Sequence, residues 1–390
     1  VNKAHRWFVL SIFVLSSTIN YLDRQTLATL APVIRGELGL SNAEYGWVVS
    51  AFSITYAACA PFAGLLIDRI GLDRGITLAI GLWSLAALAT GWVRGFAGLL
   101  VCRAALGIAE AGGIPAAGKA IQRYLLPPER ALGNSLNQVG VSLGLILAPP
   151  VATWLAVEYN WRTAFMATAG LGILWIPLWR AVRIPSALPD KSPPRALGML
   201  GDRRLWGFAL ANALSMIPYS LWTNWTTLHL VDVNHLSFVR AAWFAWWPPL
   251  FGALGGLAGG ALSFRWMNAG LDAVAARTRV CRLAALGCLV TAAIPWAPDA
   301  VFAAAGISLS FFSVAAFSVN MYSLPLDVFP AARAAFAVSL LVSAYGAMQA
   351  FASPAVGAVV DRWGYGPVCL GSSVMPLAAA GILKWTEARR

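Results

Sequence analysis

The sequence predicts an all-α membrane protein with twelve transmembrane helices in two six-helix bundles, on the strength of three observations. Hydrophobic residues make up 59% of the 390 residues and charged residues only 11%, whereas a soluble domain carries about a quarter charged residues. Apolar windows of about twenty residues, the length that crosses a bilayer core as a helix, recur along the whole chain. A polar, proline-rich segment at 181–203 divides these windows into two groups of six.

Each half contributes six predicted helices, which we number 1–12 along the chain. In the first half they cover 6–34, 43–67, 75–93, 96–122, 131–157 and 161–180. In the second half they cover 204–231, 238–264, 280–297, 299–326, 334–360 and 366–386. The region 280–326 is the hardest to divide, because Pro295 and Pro298 are its only interruptions. We therefore expect an N-terminal bundle over 1–180, a cytoplasmic linker over 181–203 and a C-terminal bundle over 204–390.

The positive charge of the chain is distributed as expected for membrane topology. Of the 28 Lys and Arg residues, twenty fall in segments on the side of the N-terminus, five fall on the opposite side and three lie within helices. Because cytoplasmic loops carry the excess of Lys and Arg, this bias predicts that both termini are cytoplasmic. The net charge of +12 therefore reports topology, and we expect no nucleic-acid partner.

The five cysteines all fall in predicted helices and form no Cys-x-x-Cys pair. They are the small apolar residues of helix packing, so we expect no disulfide, no metal site and no cofactor. The first helix is too long, and too charged in its centre, for a signal-peptide core.

Asp23 and Arg24 lie side by side in the middle of helix 1. The uncharged stretches on either side, 7–20 and 26–34, are each too short to span a core of roughly 30 Å at about 1.5 Å per residue. Joined in one helix, they place both charges in the membrane, where ionisable groups are rare and mark substrate or proton paths. The alternative is an interfacial pair on a helix that stops at Tyr21.

A short motif occurs twice with identical spacing. The pattern G-x-x-x-D-R-x-G covers 64–71 at the end of helix 2 and 357–364 at the end of helix 11. By the predicted topology, the first copy is cytoplasmic and the second lies on the other side. This relation is expected of inverted three-helix repeats, a transporter architecture that binds its substrate near the midplane between the halves.

Several motifs resemble known transporters over essentially the whole chain. The copy at 64–71, continued by Asp73-Arg74, resembles the loop 2–3 signature of the major facilitator superfamily. Within it, the sequence resembles the anion:cation symporter family, and its bacterial hexuronate and galactonate branch, at 20–24 (NYLDR), 45–46 (YG), 161–165 (WRTAF), 244–248 (FAWWP), 259–263 (GGALS) and 268–270 (NAG). One departure is Phe264 before Arg265, where members often have an acid, so we expect no gating ion pair at loop 8–9.

The resemblance assigns roles to four charged residues. It implies that Arg24 contacts the substrate carboxylate, for which a planar guanidinium is suited; alternatively, Arg24 only neutralises Asp23 or Glu110. In helix 4, Arg103 and Glu110 project from one face about 10 Å apart along the axis, so we expect each to have another partner. The resemblance implies that Asp23 and Glu110 are the proton-linked acids and that Arg103 holds them, because a carrier needs a buried carboxylate that changes protonation with its neighbours. The alternative is a static network that only specifies packing.

Further polar and aromatic residues are candidates for substrate contact. Tyr21 shares a helix face with Arg24, and the resemblance places Tyr56 and Gln138 at substrate contacts. Asn134, Asn137 and Gln138 cluster at helical spacing, so helix–helix hydrogen bonding is the alternative there. In the second half the candidates for stacking on a sugar ring or for binding hydroxyls are Trp222, Asn320, Tyr322 and Ser343.

Other charged residues have expected roles outside substrate binding. Asp68, Arg69 and Arg74 are expected to hold a closed state through ion pairs and the adjacent helix end. His229, close to the outer end of helix 7, is expected to have a surface role rather than a role in titration.

These observations predict a proton-coupled symporter that imports a small organic anion, with a hexuronate or related sugar acid as the expected substrate. We expect a monomer in the bacterial inner membrane whose partners are the anion, protons and lipid. One alternative is a facilitator or exchanger of a dicarboxylate or aromatic acid without proton coupling. A remote alternative is an integral membrane transferase, which the short, acid-poor outer loops and the lack of a His or Cys ligand cluster disfavour.

Overall fold

A computed structural model describes residues 3–125, 130–183, 201–329 and 331–387, and over these residues the chain is helical without strands. Some side chains within the helices, including those of Asp68 and Asn134, lie outside the described part. Counting an interrupted helix as one, the described residues form twelve helices, α1–α12. The sequence prediction of a twelve-helix, all-α protein is therefore confirmed.

The first six helices are bounded as follows. They are α1 Lys3–Leu38, α2 Asn42–Ile70, α3 Leu72–Thr90, α4 with two segments Phe96–Glu110 and Gly113–Tyr124, α5 Arg130–Glu158 and α6 Trp161–Val182. α1 runs without interruption through Asp23 and Arg24, so the alternative of a helix that stops at Tyr21 is wrong.

Three of the second six helices consist of two segments, and in one of these the second segment is a 3₁₀ helix. The six helices are α7 with segments Arg203–Ser215 and Ile217–Asp232, α8 with segments Phe238–Ala245 and Trp247–Asn268, α9 with Ala273–Gly287 and the 3₁₀ segment Cys288–Trp296, α10 Ala300–Val328, α11 Ala331–Trp363 and α12 Tyr365–Glu387. By length and composition, seven of the helices in the described residues suffice to cross a membrane: α3, α4, α5, α6, α9, α10 and α12.

The start of α9 corrects the sequence prediction of 280–297. The helix begins seven residues earlier, because the Asp272 carboxylate accepts hydrogen bonds from the backbone N–H groups of Val274 and Ala275 and caps it. Such a cap satisfies N–H groups that the first helical turn leaves without partners. The arginines that made 273–279 resemble a loop therefore lie on the first turns of the helix.

The described chain forms two compact units. The first comprises Val1–Leu40 and Ala51–Ser192, and the second comprises Ser41–Ser50 and Pro193–Arg390. The first turns of α2 thus pack with the second half of the sequence, while the rest of α2 packs with the first half.

Glu37 and Arg162 together connect α1, α6 and the end of α3 in the first unit. Glu37 lies beyond the predicted span of helix 1. Its carboxylate accepts hydrogen bonds from Arg162 and, at 2.7 Å, from Trp161 Nε1, both at the start of α6. Arg162 also donates to the Val93 carbonyl oxygen, which follows α3, at 3.0 Å. The hydrogen bond from Arg162 lowers the pKa of Glu37 below its ordinary value, so the carboxylate stays charged and holds α1 to α6.

Each unit also has an ion pair joining its third helix to the end of its fourth, with the charges reversed. In the first unit Asp73, at the start of α3, pairs with Arg123 of α4 at 3.4 Å. In the second unit Arg277, at the start of α9, pairs with Asp327 at the end of α10. Both pairs are separated by fifty residues in the sequence. The two halves therefore repeat this connection in opposite polarity.

In the second unit, Asp361 of α11 caps the N-terminus of α2. Its Oδ1 accepts hydrogen bonds from the backbone N–H (3.1 Å) and the side-chain amide (2.9 Å) of Asn42, and its Oδ2 accepts from the N–H of Ala43 at 2.8 Å. The next N–H group, of Glu44, is bonded to the Ser41 hydroxyl. A carboxylate at this position also interacts favourably with the positive end of the helix dipole.

Small residues allow α2 and α11 to approach closely behind this cap. A methyl group added to Gly46 would overlap the Ser353 carbonyl oxygen, and one added to Gly357 would overlap the Asn42 carbonyl oxygen. The Ser50 hydroxyl donates a hydrogen bond to the Ala350 carbonyl oxygen. The motif copy at 357–364 is therefore a helix-contact and capping element.

We predict that Asp361→Ala lowers the free energy of unfolding by about 0.5–2 kcal/mol, because it removes all three bonds of the cap. Asp361→Asn keeps one acceptor oxygen, so its effect should be intermediate. Thermal unfolding of the purified protein in detergent measures both. Glu158→Gln, which removes an exposed carboxylate, is the control. An alanine variant that melts with the wild type would contradict the capping role.

Candidate functional site

The centre of the first unit is an ion pair between α1 and α4. Arg24 donates through Nε (3.1 Å) and Nη2 (2.7 Å) to the same carboxylate oxygen, Oε2 of Glu110. The Glu110 side chain is fully buried, whereas the Arg24 side chain remains 24% exposed. The second oxygen of Glu110, Oε1, is buried and has no hydrogen-bond partner among the described residues. The pair therefore neutralises Glu110 but leaves part of the Arg24 side chain accessible.

Three aromatic rings surround the Arg24 guanidinium. Its central carbon lies 5.0 Å from the ring centroid of Tyr21, 4.6 Å from that of Phe52 and 5.1 Å from that of Tyr56. Phe52 and Tyr56, one turn apart on α2, stack at 5.6 Å. Each such contact with a cation contributes about 0.5–2 kcal/mol, more when the cation is desolvated. The rings hold the guanidinium in place and form apolar walls around it.

Asp23 makes its hydrogen bond to a different helix, α6. The Thr168 hydroxyl donates a hydrogen bond to Asp23 Oδ1 at 2.6 Å, and both side chains are buried. Asp23 Oδ2 is buried without a hydrogen-bond partner among the described residues. Adjacent positions on a helix project in different directions, so Asp23 contacts α6 whereas Arg24 contacts α4.

Arg103 lies on the same face of α4 as Glu110, as the sequence predicted. It is buried, and its guanidinium carbon lies 5.4 Å from the Phe52 ring centroid. Asp23 interacts electrostatically with Glu110, Arg103 and Arg24. The four charged residues singled out in the sequence are therefore brought together in one unit, with two positive and two negative charges.

Glycines bring the helices of this cluster close enough for these contacts. A methyl group added to Gly107 of α4 would overlap the Phe52 carbonyl oxygen and the Thr55 hydroxyl of α2. Thr55 donates a hydrogen bond across this contact to the Ala104 carbonyl oxygen at 2.9 Å. Gly144 of α5 gives α1 the same clearance, since its Cβ would overlap the Thr18 carbonyl oxygen.

The polar residues predicted on α5 divide into two groups. Asn137 accepts a hydrogen bond from Ser17 of α1 at 2.8 Å, so the alternative of helix–helix bonding applies to this residue. Gln138 is exposed, and the side chain of Asn134 lies outside the described part.

The candidates of the second half lie in different environments within their unit. Asn320 is fully buried and donates to the carbonyl oxygens of Gly259 (3.1 Å) and Ala316 (3.0 Å), which ties α10 to α8. Tyr322 is half-buried, and its hydroxyl lies 3.4 Å from the Asn212 amide. Ser343 is half-buried and bonds to the Ser339 carbonyl oxygen of its own helix. Of these, Asn320 has a geometry typical of helix packing.

His229 is fully buried, which corrects the expected surface role. Its ring packs edge-to-face against Trp222 at 5.5 Å and Tyr365 at 4.8 Å between centroids. Trp222, a predicted substrate contact, is likewise buried in this aromatic cluster. The sequence placed His229 near a helix end without showing that α12 covers it.

The predicted gating residues have different surroundings. Arg69 and Arg74 are exposed, and the side chain of Asp68 lies outside the described part. It is Asp73 of the same signature that binds arginines, since it pairs with Arg123 of α4 and, at 3.1 Å, with Arg183 at the end of α6.

Phe52 and Thr168 are the site residues that the sequence analysis did not identify. Phe52 lies one helical turn before Tyr56, so its contact with Arg24 was available from helical spacing. Thr168 carries no comparable signal, because its position opposite Asp23 depends on how α6 packs against α1.

Comparisons with known proteins agree with this architecture. The sequence profile of the Major Facilitator Superfamily matches residues 13–341. The hexuronate transporter of Escherichia coli K12 is 29% identical, with 98% of this chain and 94% of that protein covered. The galacturonate transporter of Dickeya chrysanthemi is 29% identical over 66% and 81%, and the probable sulfoacetate transporter SauU of Cupriavidus necator is 28% identical over 92% and 88%.

A solved structure shows the same fold. The inward-facing, occupied structure of a bacterial homolog to the human lysosomal transporter Spinster has a TM-score of 0.81 and 20% identity, and covers 100% of this chain and 98% of that one. These findings define a multi-pass membrane transport protein. The chain belongs to the Major Facilitator Superfamily. Members of this family are transporters and not enzymes, which excludes the membrane transferase.

We predict that Gly107→Ala destabilises the protein by about 1–3 kcal/mol, because the methyl group has to push α2 away from α4. The displaced Phe52 should also weaken the hold on Arg24 and reduce transport. Gly118→Ala, in the second segment of α4 where an added methyl group meets open space, is the matched control. Thermal unfolding and uptake in proteoliposomes measure the two effects. Equal behaviour of the two variants would show that the close contact at Gly107 is not needed.

Proposed function

We propose that this protein imports a small organic anion, with a hexuronate or related sugar acid as substrate, by proton symport and alternating access. The observation that carries the proposal is the Arg24–Glu110 pair, in which an arginine with a partly exposed side chain neutralises a fully buried carboxylate. Arg24 binds the substrate carboxylate, and Tyr21 and Tyr56 flank it. Gln138 from α5 and Trp222, Tyr322 and Ser343 from the second unit are the proposed contacts for the remainder of the substrate.

The pair offers a direct means of coupling substrate to proton. A substrate carboxylate and Glu110 are alternative partners for the same guanidinium. When the substrate takes Arg24, Glu110 is left buried with a weaker counter-charge, and burial then favours its neutral, protonated form. Asp23 is the second proton-linked acid, and Arg103 holds both acids in the site. Anion binding and proton uptake therefore favour each other in the proposed cycle.

We also propose the arrangement of the chain in the membrane. In this arrangement the transporter lies in the inner membrane of a bacterial cell with both termini in the cytoplasm, and the Lys and Arg bias supports the orientation. The functional division is an N-terminal bundle over 1–180, a linker over 181–203 and a C-terminal bundle over 204–390. Asp68, Arg69 and Arg74 act on the cytoplasmic side to hold one state of the cycle, and the monomer in the lipid bilayer is the functional unit.

The identity of the anion rests on the relatives and on the aromatic walls. Two of the relatives named above carry names for hexuronate or galacturonate, and one carries a name for sulfoacetate. A sugar acid uses both features of the site, since its carboxylate pairs with Arg24 and its ring has apolar faces that pack against tyrosines. A small sulfonate or dicarboxylate would use the guanidinium alone. Transport of such an anion without proton coupling is the second candidate function.

We predict that Asp23→Asn and Glu110→Gln each abolish uptake driven by a pH gradient in proteoliposomes and leave substrate counterflow intact. Counterflow exchanges substrate without net proton movement, so it does not need a titrating acid. Glu158→Gln serves as the matched control and should behave as wild type in both assays. Proton-driven uptake that survives in both site variants would overturn the symport proposal and favour the facilitator.

We predict that hexuronates and aldonates raise the thermal stability of the purified protein, because a ligand that binds the folded state stabilises it by mass action. Arg24→Lys keeps the charge but loses the planar fork, so the substrate should bind about tenfold more weakly, or about 1.4 kcal/mol. Arg94→Lys, at an exposed arginine, is the control. Stabilisation by sulfoacetate or a dicarboxylate but by no sugar acid would refute the proposed substrate class.

A further inference from the structure

We infer that Thr168 is a positioning residue for the proton step at Asp23. Its hydroxyl donates a hydrogen bond to the ionised carboxylate and rotates to the Phe165 carbonyl when Asp23 carries the proton. This inference rests on the proposed function, since it concerns the same proton-linked acid, but it assigns the step to a residue on α6 outside the charged cluster.

The geometry around Thr168 supports two alternative hydrogen bonds. Thr168 Oγ1 lies 2.6 Å from Asp23 Oδ1 and 3.0 Å from the Phe165 carbonyl oxygen. A hydroxyl has one hydrogen to donate and two lone pairs that accept. It can therefore donate to only one of these oxygens at a time. The shorter distance to Asp23 favours the arrangement in which the carboxylate is the acceptor.

Both protonation states of Asp23 are satisfied by rotation of this one hydroxyl. With Asp23 ionised, Thr168 donates to Oδ1 in a charge-assisted bond. With Asp23 protonated, the carboxyl O–H donates to Thr168 Oγ1, and Thr168 donates to the Phe165 carbonyl oxygen. The proton stays on the Asp23 carboxyl throughout, and Thr168 keeps its own hydrogen. No buried donor is left unpaired in either state, so neither state carries the cost of an unsatisfied donor.

The packing of α6 against α1 fixes this geometry. Trp175, two turns beyond Thr168 on α6, donates through its indole N–H to the Ile12 carbonyl oxygen of α1 at 2.7 Å. Phe165, Thr168 and Asp23 are all buried. The hydroxyl is thus held within reach of both acceptors by helix contacts that do not depend on the charges of the site.

Thr168 differs in kind from the other groups around Asp23. The charged groups that face Asp23 are Arg24 on α1 and Arg103 and Glu110 on α4. The ionisable residues described on α6, Arg162 and Arg180, lie towards its ends, and Glu158 ends α5. Thr168 is uncharged, so it adjusts to the protonation of Asp23 without adding another titration to the site.

Helical threonines commonly bond to a carbonyl oxygen of the preceding turn, and such a bond alone would make Thr168 a packing residue. Thr90 of α3 is the matched case, because it is buried and, among the described residues, its hydroxyl bonds only to the Ala86 carbonyl oxygen of its own helix. The comparison of Thr168→Val with Thr90→Val therefore separates the bond to Asp23 from the bond within the helix.

The test measures proton-driven uptake against pH for Thr168→Val, Thr168→Ala, Thr168→Ser and Thr90→Val in proteoliposomes. Valine and alanine at 168 remove a bond that is stronger to the ionised than to the protonated acid, so the midpoint of the profile should move to higher pH by roughly one unit. Serine keeps the hydroxyl and should retain the wild-type midpoint, as should Thr90→Val. A wild-type midpoint in both hydroxyl-free variants, or an equal displacement in the serine variant, would overturn the inference.

Infrared difference spectroscopy provides a second readout that does not require transport. The carboxyl C=O stretching band that disappears in Asp23→Asn belongs to protonated Asp23. Its frequency should rise in Thr168→Val and Thr168→Ala, because the acid loses its hydrogen-bond acceptor, and should stay in place in Thr90→Val. An unshifted band overturns the role of Thr168 even where proton coupling holds. Proton-driven uptake that survives in both Asp23→Asn and Glu110→Gln would instead refute the proposed function and leave the hydrogen bond measurable.

Discussion

A charge inside a bilayer requires a counter-charge within the protein. In this chain Arg24 supplies the counter-charge for the buried Glu110. A single buried carboxylate is unfavourable in a low dielectric unless it is paired or protonated. Nε and Nη2 of Arg24 both donate to the same oxygen of Glu110. The pair is therefore not the bidentate arrangement, with one bond to each carboxylate oxygen, that a guanidinium can form. It neutralises the acid, and in the proposed cycle a substrate carboxylate replaces Glu110 as the partner of Arg24.

The pair in turn depends on how closely the helices approach. Glycine lies where the helices around the pair come closest, at Gly107 between α4 and α2 and at Gly144 between α5 and α1. Phe52 of α2 lies against both Arg24 and Arg103 in this packing. The electrostatics of the site therefore depend on the small residues at the helix contacts. A methyl group added at Gly107 would displace Phe52 and so disturb the arginines that Phe52 contacts.

Helical spacing and composition predicted the parts of this architecture that depend on one helix at a time. The twelve helices, the continuity of α1 through Asp23-Arg24 and the shared face of Arg103 and Glu110 follow from local pattern. What the pattern could not supply is which helix lies opposite. His229 is buried because α12 covers it, and Thr168 faces Asp23 because α6 packs on α1. The early start of α9 was missed for a different reason: its arginines resemble a loop until the Asp272 cap is recognised.

Asp23 and Glu110 solve the problem of burial differently, and this difference gives the proposed cycle its direction. Glu110 is stabilised by a cation that the substrate also needs, so its environment changes when the anion binds. Asp23 is stabilised by a neutral hydroxyl from α6, which has no part in substrate binding in the proposed cycle, so its immediate hydrogen bond persists there. One acid can then respond to the substrate while the other retains a hydrogen-bonding partner in either protonation state. Asp23 and Arg24 are adjacent in α1, but Asp23 bonds to α6 whereas Arg24 bonds to Glu110 of α4. The two acids therefore have separate partners, and their responses to the substrate can differ.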